Sequence, residues 1–216
     1  MTFHVPPRFR PAVQALLSFS HLRHYPARAM IIFPGDVGDR LFLIIEGSVS
    51  IIVEDENGHE LVLAYLNAGD FIGEIGVFKN AEAREVCVRS RCPCKLAEIG
   101  YPRLHTLLKN ELKEHAADIY YLLGEQLAAR LLITSRKFWD LAFLDVEGRV
   151  ARILLDLSKQ PEAMTHPKGM QLSVTRQEIA RLVGCSREMA GRVLKELESK
   201  GLISAHGKTI VVFNTR

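Results

Sequence analysis

Thr175-Arg176-Gln177-Glu178-Ile179-Ala180-Arg181-Leu182-Val183-Gly184-Cys185-Ser186-Arg187-Glu188-Met189-Ala190-Gly191-Arg192-Val193-Leu194-Lys195-Glu196-Leu197 is the stretch that decides the C-terminal fold. Thr175 and Glu178 form a capping box that opens a short helix with Ile179, Leu182 and Val183 on its apolar side. Gly184-Cys185 makes a tight turn, Ser186 caps a second helix, and Gly201 stops that helix after Ser199. Met189, Val193 and Leu197 lie on one face of it; Arg187, Glu188, Gly191, Arg192 and Lys195 lie on the other. A helix, a glycine turn and a second helix with hydrogen-bonding side chains at its exposed N-terminal end is the pattern that enters the DNA major groove. Arg187 and Arg192 can each bind guanine O6 and N7, Glu188 can accept from cytosine N4, and Gly191 leaves room for close approach. Thr175, Arg176, Gln177 and Ser186 complete the candidate DNA-contacting set. Beyond Gly201, Leu202-Ile203-Ser204 and residues 209–213 flank a turn at His206-Gly207-Lys208, which reads as a wing hairpin.

Charge is divided in the same sense. Residues 145–216 hold 12 Lys and Arg against 8 Asp and Glu, a balance of +4; residues 1–144 hold 16 against 17, a balance of −1. The basic excess that a DNA-binding domain needs is therefore C-terminal.

Upstream, the period becomes helical from about Leu112. Tyr120, Leu123, Leu127, Leu131, Thr134, Phe138 and Leu141 recur at steps of three or four, predicting one long helix through Leu144. Such a seam predicts a two-fold homodimer, the alternative being that it packs on its own domain. Asp145 follows as an N-cap and hinge for a helix over 146–159, and residues 161–169 read as a loop bearing Pro and Gly.

Residues 20–100 read as short strands. Gly35, Gly47, Gly58 and Gly69 recur beside turn formers, and Asn57-Gly58 between apolar runs predicts a hairpin with positive φ at both positions. Ser48-Val49-Ser50-Ile51 alternates as a half-buried strand would. The spacing predicts a compact antiparallel roll or barrel. The domain boundaries so read are 1–111, 112–144 and 145–216, in an α+β fold.

Other classes find little support. No apolar run approaches the roughly 18 residues of a membrane helix, and Met1 to Pro11 has no secretory h-region, so the expected compartment is cytoplasmic with no membrane partner. Cys87, Cys92, Cys94 and Cys185 lack the paired spacing of a zinc site and read as structural thiols, and no metal ligands are assigned. The histidines, His21, His24, His105 and His115 among them, are scattered, and the phosphate-loop, Gly-x-Ser-x-Gly and His-Glu-x-x-His motifs are missing, so no catalytic residues are expected.

Over nearly its full length the chain resembles the CRP/FNR family of cyclic-nucleotide-type regulators, through Leu141-Ala142-Phe143-Leu144-Asp145, residues 161–169 and residues 175–197. It looks CRP-like rather than FNR-like, because it has no Cys before residue 87. The resemblance implies an N-terminal β-roll of cyclic-nucleotide-binding type, a central dimerisation helix and a C-terminal winged helix-turn-helix. A kinase regulatory subunit or channel domain shares the roll but not the capped helix pair. The family's phosphate-binding cassette falls on Phe71-Ile72-Gly73-Glu74-Ile75-Gly76 and Arg84. The resemblance implies that Glu74 accepts a ribose hydroxyl, that Arg84 pairs with the cyclic phosphate, and that Thr134 and the partner chain's Ser135 reach the base. No tightly bound cofactor is implied, only a cyclic nucleotide effector.

Glu85 departs from the pattern, standing where cyclic-AMP-binding members carry a small hydroxyl residue. A carboxylate about 4 Å from a phosphate costs roughly 4 kcal/mol at an effective dielectric near 20. Arg84-Glu85-Val86 is similar to the Clp-like branch, which implies apo DNA binding opposed by cyclic di-GMP; cyclic AMP activation is the other reading. The family's RNA polymerase contacts fall on Thr165, His166 and Lys168, where Lys168 replaces an acidic residue, and on His21, Arg23 and Arg103.

Overall fold

The computed structural model describes residues 5–79 and 83–215, which form two compact units, residues 1–133 and 134–216. The division falls inside the long helix, whereas the boundaries read from the sequence follow its two ends.

In the first unit, α1 (Arg10–Ser18) precedes β1 (His21–Tyr25), β2 (Met30–Ile32), β3 (Arg40–Glu46), β4 (Ser48–Glu54), β5 (Glu60–Asn67) and β6 (Phe71–Ile72). Then come α2 (Ile75–Phe78), β7 (Cys87–Ser90), β8 (Cys94–Gly100), α3 (Tyr101–Lys109) and the start of α4 (Ala116–Phe143). Two four-stranded antiparallel sheets result, ordered β1-β8-β3-β6 and β2-β7-β4-β5. β3 explains why: Leu41, Leu43 and Ile45 face α1, α3 and α4, while Phe42 and Ile44 face Val49, Val88 and Leu66 of the second sheet. A strand buried on both faces reads as the continuous apolar run Leu41 to Ile45.

Two local readings are corrected. β4 is not half-buried, since Ser48 and Ser50 are both buried. Ser50 Oγ donates to the Arg89 carbonyl at 3.2 Å, so a small hydroxyl sits inside without an orphaned group. Between β4 and β5 only Gly58 takes positive φ (+79°), not Asn57, and the connection is longer than a two-residue hairpin. Asp55 Oδ1 accepts from the amides of Asn57 and His59 at 2.9 and 2.8 Å, and this side-chain capping replaces the expected turn.

α4 resolves its own ambiguity by halves. Ile119, Leu122 and Leu123 are buried in the roll's core, whereas Leu131, Leu132, Ile133, Phe138, Leu141 and Phe143 are exposed.

In the second unit the end of α4 leads to α5 (Val146–Leu157), β9 (Met164–His166), β10 (Gly169–Ser173), α6 (Arg176–Val183), α7 (Arg187–Ser199), β11 (Ile203–His206) and β12 (Thr209–Phe213). Helices α5, α6 and α7 pack together, burying Val150, Leu154, Ile179, Leu182, Val193 and Leu197. The wing is larger than expected. Residues 161–169 are not all loop, because β9 pairs with β10 in a four-stranded antiparallel sheet ordered β11-β12-β10-β9. Asp145 caps α5, its Oδ1 accepting from Gly148 N at 2.8 Å, and Arg149 Nη1 donates to the Leu144 carbonyl at 3.1 Å. Just before it, the Trp139 and Phe143 rings meet at a tilt of 43° with centroids 5.3 Å apart, and buried Asp140 lies 3.8 Å from Arg152.

Candidate effector and DNA-binding sites

The cassette is built where β6 leaves β3. Gly73 turns at φ +86°, and a Cβ there would stand 2.6 Å from the Arg40 carbonyl and 2.9 Å from Arg84 Nη2, so glycine is required for the Arg84 guanidinium to lie where it does. Arg84 Nη2 donates to the Arg40 carbonyl at 2.7 Å and to Tyr101 Oη at 3.0 Å, and Tyr101 Oη donates to the Gly73 carbonyl at 2.6 Å. Burial raises the Tyr101 phenol above its ordinary pKa, with Arg84 opposing, which keeps the hydroxyl a donor. Gly76 is equally constrained, since a Cβ would meet the Tyr101 ring.

Glu74, only 2% exposed, is ion-paired with Arg130 of α4, and its Oε2 has no hydrogen-bond partner among the described residues. Arg130 Nη2 also donates to the Phe71 carbonyl, and Gln126 brackets the same peptide, accepting from Phe71 N at 2.7 Å and donating to Phe71 O at 2.8 Å. One turn of α4 thus grips the cassette by backbone and carboxylate together. Arg130, Gln126, Tyr101 and Arg40 were absent from the sequence expectation. Their signal was the polar Gln126 and Arg130 four residues apart in an apolar helix. Ile75 is exposed on α2, and Thr134 and Ser135 are exposed on α4. Glu85 is exposed, with no hydrogen bond or ion pair among the described residues. Solvent screens such a carboxylate, so the low-dielectric penalty does not apply in full.

In the second unit the helix pair forms through its caps. Thr175 Oγ1 accepts from Glu178 N at 3.1 Å, Gly184 turns at φ +72°, and Ser186 Oγ accepts from Met189 N at 3.1 Å. Arg176, Gln177, Arg187, Glu188, Arg192 and Lys195 are all exposed. Arg176, Arg187, Glu188, Arg192 and Lys195 border a shallow depression of about 290 Å³ with Gly191 in its lining. A Cβ on Gly191 would come within 3.4 Å of the Arg176 side chain, so the space the glycine leaves is used by Arg176.

The remaining candidates are scattered. Thr165 and His166 are on β9, and Lys168 N donates to His166 Nδ1 at 3.2 Å in the turn that follows. His21 and Arg23 lie on β1 and Arg103 on α3, all exposed, with Arg23 Nε donating to Glu98 Oε1 at 3.0 Å.

Residues 22–111 match the cyclic nucleotide-binding domain, and residues 148–216 match the Crp-like helix-turn-helix domain. The chain is 53% identical over 204 residues to the CRP-like protein Clp of Xanthomonas oryzae pv. oryzae, covering 94% of this chain and 89% of that one. This chain belongs to the CRP/FNR family. Its likeness to the solved structure of the Xanthomonas campestris regulator CLP, described as c-di-GMP responsive, extends over 95% of this chain and 99% of that one, at 53% identity and a TM-score of 0.90. A CRP/FNR-family transcriptional regulator from Thermus thermophilus is 26% identical with a TM-score of 0.74, covering 90% of this chain and 94% of that one. As a CRP-family member the chain is a DNA-binding transcription regulator and not an enzyme. Among the described residues no helix is long and apolar enough to cross a membrane.

Proposed function

We propose that this CRP-family chain acts as a homodimer that binds TGTGA-type palindromes without an effector and is released from them by cyclic di-GMP. The observation that carries the effector half is the internal bracing of the cassette: Glu74 is ion-paired with Arg130, and Arg84 donates to the Arg40 carbonyl and Tyr101. A roll whose cassette is knit by its own side chains needs no ligand to order it. The similar Xanthomonas regulator described as c-di-GMP responsive supports the same direction.

In the DNA half, Arg187 and Arg192 bind guanine edges, Glu188 accepts from cytosine, and two recognition helices about 34 Å apart read the two half-sites. The exposed apolar residues of α4 from Leu131 to Phe143 form the dimer seam, and Asp145 is the hinge. Thr165, His166, Lys168, His21, Arg23 and Arg103 contact RNA polymerase, with Lys168 weakening the first contact.

A second reading, activation by cyclic AMP, is favoured by one observation: Glu74 Oε2 has no hydrogen-bond partner among the described residues, an acceptor that a ribose hydroxyl would fill, with Arg84 on the cyclic phosphate and Thr134 and the other protomer's Ser135 at the base. Fluorescence anisotropy on a TGTGA-palindrome duplex at fixed salt separates the two. The proposed switch requires tight apo binding that cyclic di-GMP reverses. A requirement for cyclic AMP establishes the second reading, and no specific binding under any condition sinks the half-site assignment.

A further inference from the structure

A cleft of about 330 Å³ opens in the first unit, away from the Glu74 carboxylate, and its lining includes Tyr25, Asp39, Phe42, Arg40, Arg84 and Glu98. That volume lies at the small end of the range for small-molecule sites, roughly 300–1,000 Å³. Glu98 is only 6% exposed, and both of its ion pairs fall on one oxygen: Arg23 Nε and Arg40 Nη1 approach Oε1 at 3.0 and 3.3 Å. Its other oxygen, Oε2, accepts no hydrogen bond among the described residues. That oxygen is not sealed from solvent, so it is open to a donor that enters the cleft. Asp39 stands beside it, its Oδ1 accepting from Arg40 Nε at 3.3 Å. Tyr25 and the largely buried Phe42 supply the cleft's apolar wall. Arg40 joins this cleft to the cassette, because its side chain lines the cleft while its carbonyl receives Arg84.

From this arrangement we infer that the cleft is a guanine-base subsite of the effector site. The inference rests on the cyclic di-GMP reading above. The Watson–Crick edge of guanine presents two adjacent donors, N1–H and the N2 amino group, which match Glu98 Oε2 and the Asp39 carboxylate. Its opposite edge presents O6 and N7 to arginine. Adenine presents one donor beside an acceptor, and that acceptor would face the carboxylate. A dinucleotide phosphate on Arg84 keeps a linked guanine within reach of Arg40, since the two arginines are hydrogen-bonded to each other.

The test is calorimetric titration of the full-length protein with cyclic di-GMP and, separately, cyclic di-AMP. Cyclic di-GMP is expected to bind at least about tenfold tighter. Glu98→Gln, which turns an acceptor into a donor, is expected to weaken cyclic di-GMP about tenfold and to narrow the preference. Arg40→Gln, which leaves Arg23 on Glu98, is expected to weaken it as well. Wild-type binding that both variants retain overturns the subsite while leaving the effector reading intact. Equal affinity for the two dinucleotides overturns the guanine assignment. No binding of either by the wild type overturns the effector reading, and the subsite with it.

Discussion

Arg192 stands exposed on α7 beside Arg187 and Glu188, with no side-chain hydrogen bond or ion pair to another described residue holding it back. Arg192→Ala is expected to lower operator affinity by about 1–3 kcal/mol and to relax preference at a single base pair, measured by competition binding with half-site variants. Equal loss on every sequence would place Arg192 on a phosphate instead. Arg130 works inward. It is the described partner of a buried carboxylate, so Arg130→Ala leaves Glu74 charged and unpaired, and urea unfolding is expected to show about 3–5 kcal/mol of destabilisation. Adding Glu74→Gln to that variant should restore part of the loss. At this scale the sequence was legible where a residue acts through its own backbone: Asp145, Thr175, Gly184 and Ser186 all cap or turn as read. It was not legible where a residue acts across the fold. Nothing local to Arg130 says that its partner is Glu74, 56 positions away.

The caps set the energetics of the recognition pair as elements. Thr175→Ala and Ser186→Ala each strip an acceptor from a helix N-terminus, and each is expected to cost about 1 kcal/mol in urea unfolding, with additive effects because they cap different helices. At the end of α4, burial holds the Lys137 ammonium below the usual lysine range, with Asp156 pulling the other way. A lysine depressed in the folded state binds its proton more weakly there than in the unfolded chain. Its contribution therefore destabilises while it is protonated, and stability should rise as pH climbs through the depressed value toward 10.5. Lys137→Met should abolish that alkaline rise in a pH series of unfolding midpoints. Period told helix from strand in α4, α6 and α7, since a stripe at steps of three or four cannot be satisfied in a sheet, but it left α1, α2 and α3 unread. It could not show that β9 adds to the wing, because a three-residue strand carries too few alternations to read. Nor could it show that Ser48 and Ser50 are buried, because their hydroxyls are satisfied by neighbours brought from β7 and from beyond it.

For the molecule as a whole, the proposed dimer would make association through the exposed apolar residues of α4 the condition for reading a palindrome. Phe138→Asp is expected to give a monomer by sedimentation and to weaken palindrome binding much more than half-site binding. The charge division sets a basic C-terminal part off from the rest, but the change of period at about Leu112 marks the approach to α4 and not the point inside it, between residues 133 and 134, where the two units part. The proposed seam is legible only as a stripe, because the sequence repeats the same apolar spacing whether a turn of helix faces its own roll or is left exposed. One pair of rings has a practical use. Trp139 is the only tryptophan in the chain, 51% exposed and in tilted contact with Phe143, which lies two residues before the Asp145 cap. Its indole is a native chromophore beside the proposed Asp145 hinge, so its emission wavelength and quenching by iodide should follow movement there in real time, with no dye attached.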